Sequence, residues 1–127
     1  PEEVVQFFAL LGRPGLASFT YDVQNLWQMG TFPSLDGYRK MKSVIGYLHV
    51  KGGIADPATG RLKWRSTLER ASWPVEEIIR EAIQDKIVPV ICLNPSHGIA
   101  ADGEDAEDPV RADLAYVRRL IADSASI

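Results

Sequence analysis

Three apolar runs of strand length, each closing on polar residues and each followed by a stretch of helical periodicity, decide what this chain can fold into. The runs are Leu16 to Tyr21, closing at Asp22; Val44 to Val50 (VIGYLHV); and Ile87 to Leu93 (IVPVICL). After the first, Ser34 reads as an N-cap with Leu35, Tyr38 and Met41 on one helical face. After the second come Val75, Ile78, Ile79 and Ile83, with Ser72 as cap and Pro74 in the first turn. After the third, Asp108-Pro109 forms an N-cap and N1 pair, and Val110, Leu114, Val117 and Ile121 are expected to line the core face. Strands alternating with helices imply parallel pairing through right-handed crossovers. Strands this uniformly apolar imply cover on both faces.

The connections carry less order. Val23 to Pro33 reads as a polar-aromatic loop, and Lys51 to Ala71 as a long one marked by Gly52-Gly53 and Asp56-Pro57. Pro89 sits awkwardly inside the third run, because proline has no ladder donor. An acidic loop, Asp102 to Asp108, leads into the last helix. Ahead of the first strand, Glu2 to Leu11 reads as a helix so rich in apolar residues that burial on more than one side is expected. It stops at Gly12-Arg13-Pro14-Gly15. Three parallel strands cannot close a sheet, so their second face needs a complement. The expected fold class is therefore α/β: a partial (β/α)8 barrel, its last three βα units, lacking its N-terminal half and forming one domain over residues 1–127.

Composition narrows the function classes. Apolar residues make up 46% and charged residues 24% of 127, as in a globular domain rather than a disordered one. A net charge of -3 weighs against a nucleic-acid partner, which needs Lys and Arg for phosphates. The single cysteine, Cys92, is expected in the core, and one cysteine allows no disulfide within the chain. No run is long enough for a bilayer and no signal-peptide pattern opens the chain, so the expectation is a cytoplasmic protein without a membrane partner.

In parallel α/β proteins the chemistry lies at the C-terminal ends of strands. Those ends deliver Asp22 with Gln24 and Asn25, His49 with Lys51, and Asn94 with Ser96 and His97. A carboxylate beside a neutral imidazole suits a transition metal or zinc better than calcium. Asp22 and His49 are thus the candidate metal ligands. The plainer alternative is that Asp22 caps a turn and His49 is a satisfied core histidine. Asn25, Trp27, Lys51, Asn94 and His97 are candidate substrate contacts, Trp27 as an apolar wall; Lys51 could hold an anionic substrate but reads more readily as a solvated loop lysine. No catalytic residue stands out.

The stretches YDVQNLWQMG, VIGYLHVKGG and VICLNPSHG, across Leu16 to Gly98, resemble sugar phosphate isomerase/epimerase proteins. These share the xylose isomerase-like TIM barrel with D-tagatose 3-epimerase and endonuclease IV. The resemblance implies four metal ligands (Glu, Asp, His, Glu) from the last four barrel strands. Asp22 matches the Asp and His49 the His, the first Glu would lie upstream of Pro1, and the last Glu falls at or beside Asn94. Asn25 stands where epimerases often carry a substrate-contacting His. The implied activity is metal-dependent isomerisation or epimerisation of a carbohydrate, with Mn, Co, Zn or Mg in the complete protein and possible absence of the metal from this stretch alone. Asn94 departs from the pattern, since an amide is no base at neutral pH. Two alternatives follow: a degenerate barrel that binds a sugar or partner without turnover, and endonuclease-IV-like phosphodiester hydrolysis, whose relatives carry more histidines. This stretch by itself is expected to be inactive, and to form a homo-oligomer or associate with an N-terminal half.

Overall fold

The computed structural model describes residues 1–94, 99–100 and 109–126. Its elements are α1 (Glu2–Leu11), β1 (Phe19–Asp22), α2 (Val23–Gln28), α3 (Leu35–Met41), β2 (Ile45–Val50), β3 (Ile54–Ala55), β4 (Leu62–Arg65), α4 (Val75–Gln84), β5 (Ile91–Leu93), β6 (Ile99–Ala100) and α5 (Pro109–Ala125). Single 3-10 turns lie at Lys42–Val44 and Leu68–Arg70. The main sheet has the order β1-β2-β5 and is parallel throughout. The chain is therefore α/β, with helices between its parallel strands.

The two faces of that sheet differ. Tyr21, Leu48 and Val50 are fully or almost fully buried and join Tyr38 and Met41 of α3 and Ile78 and Ile79 of α4 in one core cluster. On the other face, Thr20 is exposed, Tyr47 is 36% exposed and His49 and Cys92 are half-buried. This open face is where the sequence expected a complement.

The loop assigned to Lys51–Ala71 contains structure. β3 and β4 form an antiparallel pair, and β4 runs parallel to β6 in a second small sheet. Gly52 makes this close fit possible. A Cβ there would overlap the Ser66 carbonyl, and the Gly53 N–H donates to Ser66 Oγ at 2.8 Å. Ser72 does not cap α4; its Oγ accepts from Ala55 N at 3.0 Å, and Pro74 holds the cap position without a side-chain bond. Ser34 does cap α3, accepting from Gly37 N at 3.0 Å.

Several expected boundaries move. The first strand begins at Phe19, because Arg13 to Ala17 close a turn in which Leu16 N and Ala17 N both donate to Arg13 O. Val23–Gln28 is a helix rather than a loop. The third strand shortens to Ile91–Leu93, which leaves Pro89 outside it, as its missing N–H requires. Helix α5 turns a different stripe inward. Asp113, Tyr116, Val117 and Leu120 are buried, whereas Val110, Leu114 and Ile121 are 42%, 38% and 45% exposed. Asp113 Oδ1 fixes this rotation by accepting from Leu68 N at 2.8 Å. Helix α1 packs on α3 but buries no residue fully, and Phe7 and Leu10 stay 60% and 81% exposed, contrary to the burial its composition led us to expect. The acidic stretch up to Asp108, and with it the Asp108 cap, lies outside the described residues.

Candidate functional site at the strand ends

Parallel register builds the site. Asp22 ends β1 opposite His49 on β2, and His49 lies opposite Cys92 on β5. Residues paired in this way share one face of a sheet, so the three side chains form a row across the open face. Asp22 also starts α2: its Oδ1 accepts from Asn25 N at 2.9 Å, satisfying one of the helix's unpaired amides. Capping fixes the carboxylate's rotation and turns its second oxygen toward β2.

That second oxygen, Oδ2, is shared. His49 Nδ1 lies 3.3 Å from it and Lys51 Nζ 3.4 Å from it. The Asp22 side chain is 9% exposed, Lys51 5% and His49 25%, so the ion pair is enclosed while the imidazole retains solvent access. Lys51 is therefore not the solvated loop lysine that its position in the sequence allowed. Its backbone is fixed as well, since Trp73 Nε1 donates to Lys51 O at 2.9 Å. On the other side of His49, the Tyr47 ring meets the imidazole edge-on at 4.8 Å. A hydrogen bond with the Cys92 thiol raises the Tyr47 hydroxyl above its ordinary pKa. Cys92 is thus a half-buried member of the open face and not a core residue.

His49 Nδ1 and Asp22 Oδ2 stand at hydrogen-bond distance from each other, a separation that two ligands of one ion would also have. Neighbouring ligands with bonds of about 2.0–2.2 Å to one ion place their donor atoms roughly 3.0–3.4 Å apart. Among the described residues, no group of three or more His, Cys, Asp and Glu converges as a metal site would require. Asp22 and His49 therefore supply two positions of such a site and no more.

The chain matches no protein-family model, no curated protein and no solved structure. The site's chemistry therefore rests on its own geometry.

The other candidates scatter. Asn25 is exposed on the first turn of α2, next to the carboxylate that its N–H caps. Asn94 is half-buried at the end of β5, with its N–H donating to Val50 O at 3.3 Å. Trp27 is no wall for a ligand. It is 3% exposed, its Nε1 donates to Gly60 O at 2.9 Å, and its ring lies within contact of a Cβ placed on Gly53. It holds the β3–β4 hairpin down. His97 lies outside the described residues. Sequence reasoning missed Tyr47, although its position two residues before His49 on a strand assigns it to the same face.

A groove of about 560 Å³ opens at the opposite end of the strands, between α1 and Leu16 to Ser18, with Val44 and Ile45 on its floor. It holds none of the strand-end groups. For chemistry we favour the strand ends, where ionisable groups converge.

Proposed function

We propose that this chain forms the last three βα units of a xylose isomerase-like barrel, and that its parent activity is metal-dependent isomerisation or epimerisation of a carbohydrate. One observation carries the reading. The Asp22 carboxylate and the His49 imidazole come from adjacent parallel strands and meet at 3.3 Å on the open sheet face. Asp22 and His49 would hold the divalent ion, whose chemistry when bound is polarisation of a substrate carbonyl or hydroxyl. Asn25 and Asn94 offer amides beside it for hydroxyl groups, and Lys51 supplies a fixed positive charge. A base must come from elsewhere in the barrel, since Asn94 cannot take a proton.

A second reading has one observation in its favour. The buried Lys51 ammonium already neutralises Asp22, as in a barrel that binds a sugar without turnover. Endonuclease-IV-like hydrolysis gains nothing comparable, since the described residues bring only one histidine to the site.

The deciding assay uses the protein carrying its remaining barrel strands, incubated with ketoses in heavy water. Divalent-ion-dependent deuterium uptake next to the carbonyl, lost in Asp22→Asn and in His49→Gln, is the expected result. Uptake that persists in both variants would refute the assignment, and metal binding with no uptake for any sugar would favour the non-catalytic barrel.

A further inference from the structure

We infer that the groove at the N-terminal end of the strands binds a monocarboxylate with an unbranched alkyl tail, its head held by Arg13. The inference is independent of the metal reading given above. The groove measures about 560 Å³, within the range of small-molecule sites. Val5, Phe8 and Ala9 of α1, together with Leu16, Val44 and Ile45, give it apolar walls. Leu16 is 81% exposed, so an alkyl chain laid against it removes apolar surface from water. Arg13 is the only charged residue of the lining, and Ser18 and Ser43 are its only other polar side chains. No carboxylate among the described residues pairs with Arg13.

The turn that carries Arg13 is braced on both sides. Gly12, at a φ of 59°, ends α1 with its N–H donating to Phe8 O at 3.2 Å. Pro14 fixes its own φ, and Leu16 N and Ala17 N both donate to Arg13 O, at 3.2 and 3.3 Å. The Arg13 backbone is thereby held at the rim of the groove, and its guanidinium is available to a ligand. A planar guanidinium matches a carboxylate through two parallel hydrogen bonds. One cation with no second beside it suits a monoanion, whereas a phosphate dianion would keep an uncompensated charge. The C-terminal end of α1 lies at the same rim and carries partial negative charge, so without Arg13 the groove would repel an anion. Selection of the head group therefore depends on this one side chain, while the apolar walls hold the tail.

The test is calorimetric titration of the 127-residue chain with octanoate, octanol and octyltrimethylammonium, each below its micelle-forming concentration. Octanoate should bind one to one and at least tenfold more tightly than octanol, and the cation should bind more weakly still. Arg13→Gln should lower octanoate affinity at least tenfold and change octanol affinity less than twofold. Ala9→Trp places a bulky ring on an exposed position of the α1 wall and should abolish binding of both. Circular dichroism of each variant shows that it folds. Three results would overturn the inference: no saturable octanoate binding in wild type, equal affinity for octanoate and octyltrimethylammonium, or undiminished octanoate binding in folded Arg13→Gln or folded Ala9→Trp. Self-association that Ala9→Trp abolishes, with no octanoate bound by wild type, would overturn it as well and make the groove an interface between copies.

Discussion

Two tyrosine hydroxyls lie buried between β1 and α3 without a hydrogen-bond partner among the described residues. Tyr21 and Tyr38 are both inaccessible to solvent, and their rings meet edge-on at 5.7 Å. Burial pushes both phenols up, Tyr38 to about 12. An unsatisfied hydroxyl costs roughly 1–3 kcal/mol of desolvation, so its removal should not harm the fold. Tyr21→Phe and Tyr38→Phe are expected to leave stability unchanged or raise it by up to ~1 kcal/mol in urea denaturation. A loss above that size in either variant would show that the hydroxyl has a partner. Asp113 behaves differently. Desolvation raises its pKa, while the Leu68 N–H bond opposes the shift. A carboxyl whose folded pKa exceeds its unfolded one favours folding when protonated, so that contribution fades as pH rises through the raised value. Asp113→Asn keeps an acceptor for Leu68 N and should remove this dependence, which begins at the ordinary aspartate range and extends upward from it. Asp113→Leu strands the Leu68 N–H and should cost about 1–3 kcal/mol at any pH. Identical pH profiles for wild type and Asp113→Asn would contradict this account.

At the scale of elements, Gly52 decides whether the hairpin closes over the strand end. Gly52→Ala places a methyl on the Ser66 carbonyl, and the backbone must give. Overpacking of this kind typically costs about 1–3 kcal/mol. The expected signature is a lowered unfolding midpoint together with faster amide exchange in residues 53–66, because Gly53, Ser66 and Trp27 lose their mutual contacts. Unchanged exchange there would rule out Gly52 as the hinge of the fit. Such elements also show what a sequence discloses. The periodicities of α3 and α4 placed Tyr38, Met41, Ile78 and Ile79 in the core, and Asp22 and His49 were legible as strand ends because parallel strands announce themselves by apolar runs. The hairpin was hidden: β3 spans two residues, and what holds it down includes Trp27, 33 residues before its Gly60 partner in sequence. Helix α2 was hidden because its six residues carry no periodicity beyond one turn. The rotation of α5 was misjudged because apolar spacing alone offers two stripes, and a buried aspartate selects between them. Lys51 looked solvent-bound because nothing in its neighbours shows that Asp22 turns toward it.

The molecule as a whole leaves too much apolar surface uncovered for a three-strand unit at rest. Phe7 and Leu10 of α1, Leu16 beyond it, and Val110, Leu114 and Ile121 of α5 are all exposed. The main sheet has β1 and β5 at its edges, and its face beside His49 is open. Contiguous apolar patches and free edges are what further chain or a second copy covers. No helix among the described residues is long and apolar enough to cross a membrane. Association with a second copy is a testable consequence of this surface. In sedimentation velocity, the 127-residue chain should show concentration-dependent association at micromolar levels. Phe7→Glu with Leu10→Glu should weaken it, because both side chains project from α1 away from α3 and the core. Removing them should leave the fold within ~0.5 kcal/mol, as for other exposed positions. If addition of the further strands proposed above abolishes self-association of the wild type, the proposal that the open face is a barrel interior gains support. A wild-type chain that stays monomeric across the whole concentration range, alone and without those strands, would mean that this surface is tolerated as it stands, and the partial-barrel reading would lose its structural motive.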